Sequence, residues 1–369
     1  MLFFYGILPF AGAFFNRYRW ERFRRRFDEL RLSPLIDYRQ YRQMGEESGI
    51  KGGVFRFTGG VESITDGHTL WVRGDDLTIP VSLEKTQCWL LPKHEGEGVP
   101  DAPEQIRWNR ISTLNEGAKV FIGGVIKTRN DRLSFTAEKD KPLMVIFYDC
   151  PDAKLADTLI RAARNRNEYW NNITPASIAF GVIALIYIAA SFLDRPAFRL
   201  TVISAMLALF IPVLPIFPPG LLLTVVYRRM TWHARKLRAY WDLARLPLRY
   251  LPPGCESSLL CTGERYGYVK LDSLPPEISK ENAPFLIQGL AQDSVKDKIY
   301  FYGVLEENNN LPVRSKDPFV SFGLLPANPA ALARFYAVKA YSLEAFAWLI
   351  QLLGITANII FIYMLLFAR

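Results

Sequence analysis

Lys119-Val120-Phe121-Ile122-Gly123-Gly124-Val125 returns 179 positions later as Lys298-Ile299-Tyr300-Phe301-Tyr302-Gly303-Val304. The match runs on after a polar turn. Lys141-Pro142-Leu143 pairs with Asp317-Pro318-Phe319, Leu155-Ala156 with Leu332-Ala333, and Trp170 with Trp348. The offset drifts by only three positions between Lys119 and Trp170, from 179 to 176. A second match, Phe27-Asp28-Glu29-Leu30-Arg31-Leu32 with Trp241-Asp242-Leu243-Ala244-Arg245-Leu246, extends it towards the N-terminus. The repeated unit reads as anchor, basic helix, β-domain, amphipathic helix and membrane span. The expected fold class is therefore an α+β membrane protein: two tandem small β-barrel domains of OB-like (oligonucleotide/oligosaccharide-binding) shape, each framed by transmembrane or membrane-inserted helices.

Working outward, 1–32 reads as an N-terminal anchor and a basic amphipathic helix. The run 1–15 is uncharged and apolar, and arginines follow it rather than precede it, the reverse of a cleaved signal peptide. Trp20, Phe23, Phe27 and Leu30 recur at spacings of three and four, a stripe expected to lie along an anionic membrane surface. The region 33–150 reads as the first β-domain. Gly53 to Phe57 alternates as a strand, Asp66-Gly67 signals a hairpin, 92–103 is an exposed loop, and Leu143 to Tyr148 closes the set. Short strands separated by turns suggest a small barrel.

The region 151–193 reads as an amphipathic helix followed by a span over 176–193, a stretch of 18 residues without charge. The region 194–249 holds a second apolar stretch, Leu200 to Tyr227, with Pro212, Pro215, Pro218 and Pro219 inside it, expected to break near Pro218 before a second basic helix. The second β-domain, 250–325, is shorter by about a hairpin, and 326–369 reads as a helix and a final span carrying Gln351 and Asn358. Polar amides in a span mark helix contact or self-association.

Composition supports a membrane setting. Half of the 369 residues are hydrophobic, 14% are aromatic, and the net charge is +9. The basic residues cluster beside apolar runs. Arg17, Arg19, Arg22, Arg24, Arg25 and Arg26, with Arg228, Arg229, Arg235, Lys236 and Arg238, are the expected contacts to anionic headgroups. The positive-inside rule then places both β-domains in the cytoplasm of a prokaryotic inner membrane, with both termini outside. The partners expected are the bilayer and other proteins, or a second copy of the chain, and no nucleic acid.

Chemical motifs are scarce. Cys88, Cys150, Cys255 and Cys261 lack zinc-site spacing, and no phosphate-cradling, zinc-protease or nucleophile-elbow pattern occurs. Asp66, Asp75 and Asp76 read as turn residues, His68 as a strand-surface residue, and His94, Glu95 and Glu97 as loop residues. No catalytic residue, cofactor or metal ligand is assigned. The functional expectation is a non-enzymatic membrane scaffold or adaptor. Alternatives are a transport-associated protein, from the proline-broken span, and a membrane hydrolase with an unrecognised site.

Leu114-Asn115-Glu116-Gly117, then Val120 to Gly124, then Pro142 to Ile146, a helix and a span resemble the GIDE-type domain of a mitochondrial membrane ubiquitin ligase and its bacterial relatives. Thr86-Gln87-Cys88-Trp89 is similar to a family segment where cysteine precedes an aromatic strand. The resemblance covers about Ile50 to Leu193 and implies the domain and its membrane framing. It does not carry ubiquitin transfer, since four scattered cysteines cannot build a two-zinc RING.

Overall fold

The computed structural model describes residues 3–46, 53–65, 68–84, 86–92, 102–107, 117–129, 132–138, 141, 143–165, 171–192, 197, 199–208, 220–271, 299–306, 310–320, 322–325 and 327–367. Asp66-Gly67, the His94 loop, the prolines at 212–219 and the stretch 272–298 lie outside these residues. The chain is α+β, with seven α-helices and thirteen strands among the described residues. It divides into two compact units. A helical unit comprises Met1–Arg22, Arg166–Arg238 and Phe335–Arg369. A β unit comprises Phe23–Asn165 and Ala239–Arg334, so both sheets, read from sequence as separate domains, belong to one body.

In the β unit the first sheet has eight strands: β1 (Val54–Thr65), β2 (Thr69–Arg73), β3 (Thr78–Ser82), β4 (Gln87–Leu90), β5 (Glu104–Ile106), β6 (Lys119–Arg129), β7 (Arg132–Thr136) and β8 (Met144–Tyr148). Their order is β1-β2-β3-β7-β6-β8-β4-β5, with β1 pairing β6 as well. That extra pairing closes β1, β2, β3, β7 and β6 into a ring. β1 makes closure possible by serving two neighbours. Val54 to Gly60 pairs β6, and Gly60 to Thr65 pairs β2, with an irregularity between Val61 and Ser63 that bends the strand. Gly59 sits at the tightest point, where an added Cβ would lie 2.2 Å from the Arg73 carbonyl oxygen. Alternation does the rest. Phe57, Val72, Ile79, Val81, Val120, Ile122, Phe135 and Val145 point inward and form one buried core.

The second sheet contains β9 (Ser257–Leu259), β10 (Arg265–Leu271), β11 (Ile299–Leu305), β12 (Pro312–Val313) and β13 (Gly323–Leu325). Its central strand, β11, pairs β10, β12 and β13, as β6 pairs β1, β7 and β8. The registers coincide. Gly123 faces Met144 and Ile122 faces Val145; Tyr302 faces Gly323 and Phe301 faces Leu324, each 179 positions on. This register corrects one sequence match. Leu143 corresponds to Phe322, not to Phe319. A Cβ on Gly124 would meet Leu143 at 2.6 Å, and one on Gly303 would meet Phe322 at 2.9 Å. From the hairpin return at Thr136 to β8 is eight positions, while from Val313 to β13 is ten. The connection in the second sheet is therefore two residues longer.

Helices α1 (Leu8–Arg31), α2 (Tyr38–Glu46), α3 (Asp152–Asn165), α4 (Thr174–Phe192), α5 (Arg199–Ala208), α6 (Gly220–Arg245) and α7 (Pro329–Phe367) complete the chain, with a π-helical turn over Phe3–Ile7. Three pairs of expected segments are single helices. Anchor and basic helix merge in α1 and again in α6, and α7 runs 39 residues through the expected join near residue 343. No Pro or Gly interrupts these joins. Pro9 sits in the first turn of α1, where its missing N–H costs no helix bond. α2 stands where no element was expected. Asp37 Oδ1 accepts the Gln40 N–H at 2.7 Å to start it, and Tyr41 donates to the Leu133 carbonyl at 2.9 Å to fix it on β7.

Two helices, α4 and Pro329–Ala357 of α7, are long and apolar enough to cross a membrane. Only 22% of the apolar stretch of α4 is buried, unlike a soluble core helix. Phe180, Ile183, Ile186 and Tyr187 are exposed on one side. On the other, Thr174, Ser177, Gly181, Leu185 and Ala189 form a buried stripe of mostly small residues. Ser177 Oγ donates to the Phe4 carbonyl at 2.5 Å, Asn171 Nδ2 donates to the Pro9 carbonyl at 3.1 Å, and Leu185 and Ala189 pack on Val202 of α5. Thr224 Oγ1 donates to Gln351 Oε1 at 3.3 Å, so the Gln351 amide is engaged within the chain. Trp348 touches the rings of both Phe10 and Tyr227.

Candidate functional site

The eleven basic residues singled out for headgroup contact fall into three groups. Arg17, Arg19, Arg22 and Arg25 on α1, and Arg228 and Arg229 on α6, are exposed. Arg26, Arg235 and Lys236 are half-buried, and Lys236 Nζ lies 3.5 Å from the Trp232 ring centroid. Two others are turned to protein carboxylates. Arg24 Nε lies 3.7 Å from Asp242, which also accepts from Arg164 at 2.7 Å. Arg238, with 9% of its side chain exposed, is paired with Glu344 and lies over the Tyr341 ring. Burial with a partnered charge removes it from lipid contact.

The stripe on α1 is also internal. Trp20, Phe23, Phe27 and Leu30 are all buried. The Phe23 ring lies 4.4 Å from that of Trp89, and Phe27 lies 5.4 Å from Phe121. The expectation that this face lies on the bilayer is corrected. The outer side of β4 and β6 offers an aromatic surface, and each large apolar side chain buried there contributes roughly 1.5–3 kcal/mol.

The most concentrated polar chemistry in the β unit is a buried seam between the two sheets. Arg56 and Asp317 have side chains 4% and 2% exposed. Arg56 stands on the outer face of β1, opposite in direction to the core residue Phe57. Its Nε donates to the Ser33 carbonyl at 2.7 Å, which aims the guanidinium. Nη1 then donates to Asp317 Oδ1 at 3.1 Å and Nη2 to Oδ2, a two-pronged charge-assisted pair. The Phe319 ring lies beneath the same guanidinium at 5.5 Å and against Phe121 at 5.6 Å. Arg31 and Tyr250 both donate to the Phe319 carbonyl, at 3.4 Å each, and Arg31 stacks over Tyr250. Nearby, Arg249 binds Asp28 at 2.8 Å.

Burial governs the titration of these groups. It pushes the Arg56 guanidinium down to about 10, still charged at neutral pH. It raises the Asp28 carboxyl, against the opposing pull of Arg31 and Arg249. It also lifts the thiols of Cys88, to about 12, and Cys150, to about 11. A neutral, enclosed Cys88 is a core residue and no nucleophile.

The remaining sequence candidates are dispersed. Asp75 and Asp76 are exposed in a turn closed by the Gly74 N–H to the Leu77 carbonyl at 2.8 Å. His68 lies 3.9 Å from Glu84 on the surface. Asp66, His94, Glu95 and Glu97 lie outside the described residues. Among the described residues, no group of three or more His, Cys, Asp or Glu side chains is disposed to hold a metal ion. The seam itself was missed in sequence. Its one signal was Arg56 placed between the aromatic residues Phe55 and Phe57. What the seam can do is bind a carboxylate and an aromatic ring together. Comparison with family models, with curated proteins and with solved structures returns no match in any of the three.

Proposed function

We propose that this chain is a multi-pass membrane protein of the bacterial inner membrane, a non-enzymatic scaffold whose duplicated β-domains meet protein partners in the cytoplasm. The observation that carries the membrane part is α4: a 19-residue uncharged, mostly apolar helix with Phe180, Ile183, Ile186 and Tyr187 uncovered. The ring β1-β2-β3-β7-β6, with its one parallel pair at Val81 and Phe135, supports an OB-like barrel. The shared register of β6 and β11 supports descent of the two sheets from one tandem unit, and with it the likeness to GIDE-type domains. The exposed arginines Arg17, Arg19, Arg22, Arg228 and Arg229 support a cytoplasmic side for the basic helices and the β-domains.

Membrane fractions washed with alkaline carbonate test the first part. The chain stays in the pellet; release to the supernatant would refute integral insertion. Sidedness is read from Cys255 and Cys261, both exposed, since Cys88 is buried and cannot report it. An impermeant maleimide leaves both unlabelled in intact spheroplasts and labels them after lysis. Cross-linking in membranes followed by light scattering of the detergent extract tests the scaffold. An assembly larger than one chain is expected, and a lone monomer counts against it.

A further inference from the structure

The connection ahead of β13 carries Asp317 and Phe319, and bonds that do not involve the first sheet shape its turn. Ser315 Oγ donates to Glu264 Oε2 at 2.6 Å and the Lys316 N–H donates to Oε1 at 2.7 Å. The Asp317 N–H donates to Ser315 Oγ at 3.1 Å, and the Phe319 N–H donates to Asp317 Oδ1 at 3.0 Å. The two bonds within 315–319 are local and shape the segment itself, while the two to Glu264 tie the turn to the second sheet.

The receiving surface recognises three parts of this turn. The Arg56 fork reads the carboxylate, the Arg56 and Phe121 faces hold the ring, and Arg31 with Tyr250 reads the carbonyl. All three lie within residues 317–319, so a short segment of another protein can supply them all. The carbonyl accepts both of its bonds at 3.4 Å.

We propose that the outer face of the first sheet, at Arg56, Phe121 and Arg31, is a recognition site for a partner segment bearing a carboxylate two residues ahead of an aromatic ring. Residues 315–319 are its resident, exchangeable occupant. This names the kind of partner for the scaffold reading and rests on it. A tethered occupant competes at an effective concentration on the order of millimolar. A free segment of equal intrinsic affinity therefore enters the intact chain poorly and enters readily once the resident is stripped of its two recognised side chains.

The test uses the full chain in detergent and a fluorescent peptide copying residues 312–322. The double variant Asp317→Ala/Phe319→Ala binds the peptide saturably, and the unsubstituted chain binds it at least ten-fold more weakly. Adding Arg56→Met to the double variant removes the binding. A double variant that still unfolds cooperatively yet binds no peptide, or binding that Arg56→Met leaves intact, overturns the proposal. If the double variant does not fold, the unsubstituted chain is titrated to millimolar peptide carrying a photoreactive ring in place of the phenylalanine. Cross-links to the strand around Phe121 support the site, and their absence there overturns it. A chain that assembles in membranes but takes no peptide loses this inference and keeps the scaffold reading. One that takes peptide as a lone monomer does the reverse.

Discussion

β6 and β11 share one pairing register, 179 positions apart. Each has three neighbours in one register, and each has a glycine, Gly124 or Gly303, under the side chain that leads into the last strand. They part on what surrounds them. β6 belongs to a closed ring, covered outside by the buried face of α1, and Phe121 on its outer side is fully enclosed. The corresponding Tyr300 of β11 is half-buried. Between the hairpin return and the last strand, the second sheet has two extra residues, and there the chain places the carboxylate and ring that engage the first sheet. A connection two residues longer, on a ladder of the same register, thus accompanies an arm that the first sheet lacks.

The largest effect should come from cutting that arm. Asp317→Ala leaves the Arg56 charge buried and unpaired, and about 3–5 kcal/mol of stability should go, read as a lowered midpoint in thermal unfolding of the detergent-solubilised chain. The pair replacement Arg56→Met with Asp317→Leu should recover most of that loss, because matched apolar groups carry no desolvation cost. A double replacement no better than the single one would mean that the seam works through more than charge pairing.

Next is ring closure. Gly59→Ala forces a methyl group against the Arg73 carbonyl, a backbone atom that cannot step aside. A loss of about 1–3 kcal/mol is expected. Gly117→Ala, whose added Cβ meets nothing within 4 Å, should cost less, about 1 kcal/mol, from its positive φ alone. Equal losses would argue against a tight β1–β2 corner.

Alkaline pH should act next. Burial raises the Cys88 thiol to about 12, so the folded state holds its proton where the unfolded chain releases it near the ordinary value of 9. The stability this gives is complete below pH 9 and is lost as pH rises towards 12. The unfolding midpoint should fall over that window, and less so in Cys88→Ala after correction for its lower baseline. At pH 8, a thiol reagent should modify Cys255 and Cys261 in the folded chain and reach Cys88 only on unfolding. The smallest effect is at the surface. Lys127 lies 2.9 Å from Glu138 with about half of its side chain exposed, and Lys127→Ala should move stability by about 0.5 kcal/mol or less.

The reading of single elements from sequence followed the strength of their local signals. The apolar run 176–193 is α4 within two residues at its start, because an uninterrupted uncharged stretch of that length has one stable form in lipid. Strands β4, β6 and β8 came from short apolar runs bounded by turns. The spacing of Trp20, Phe23, Phe27 and Leu30 identified a helix with one apolar face but misassigned what that face touches. Amphipathicity states that a surface is dry without stating whether lipid or protein dries it. The same ambiguity affected Arg24 and Arg238, whose carboxylate partners lie far away in sequence.

What the sequence alone determined is therefore periodic and local: where strands and helices run, and that α4 and part of α7 are apolar enough to cross a membrane. Tertiary structure decided that Phe322 and not Phe319 takes the place of Leu143, that β1 is shared by two neighbours, and that Arg56 meets Asp317 across 261 positions. The reason lies in range. Backbone preference and side-chain period are expressed within a few residues, whereas the partner of a buried charge is set by which surfaces the fold brings together.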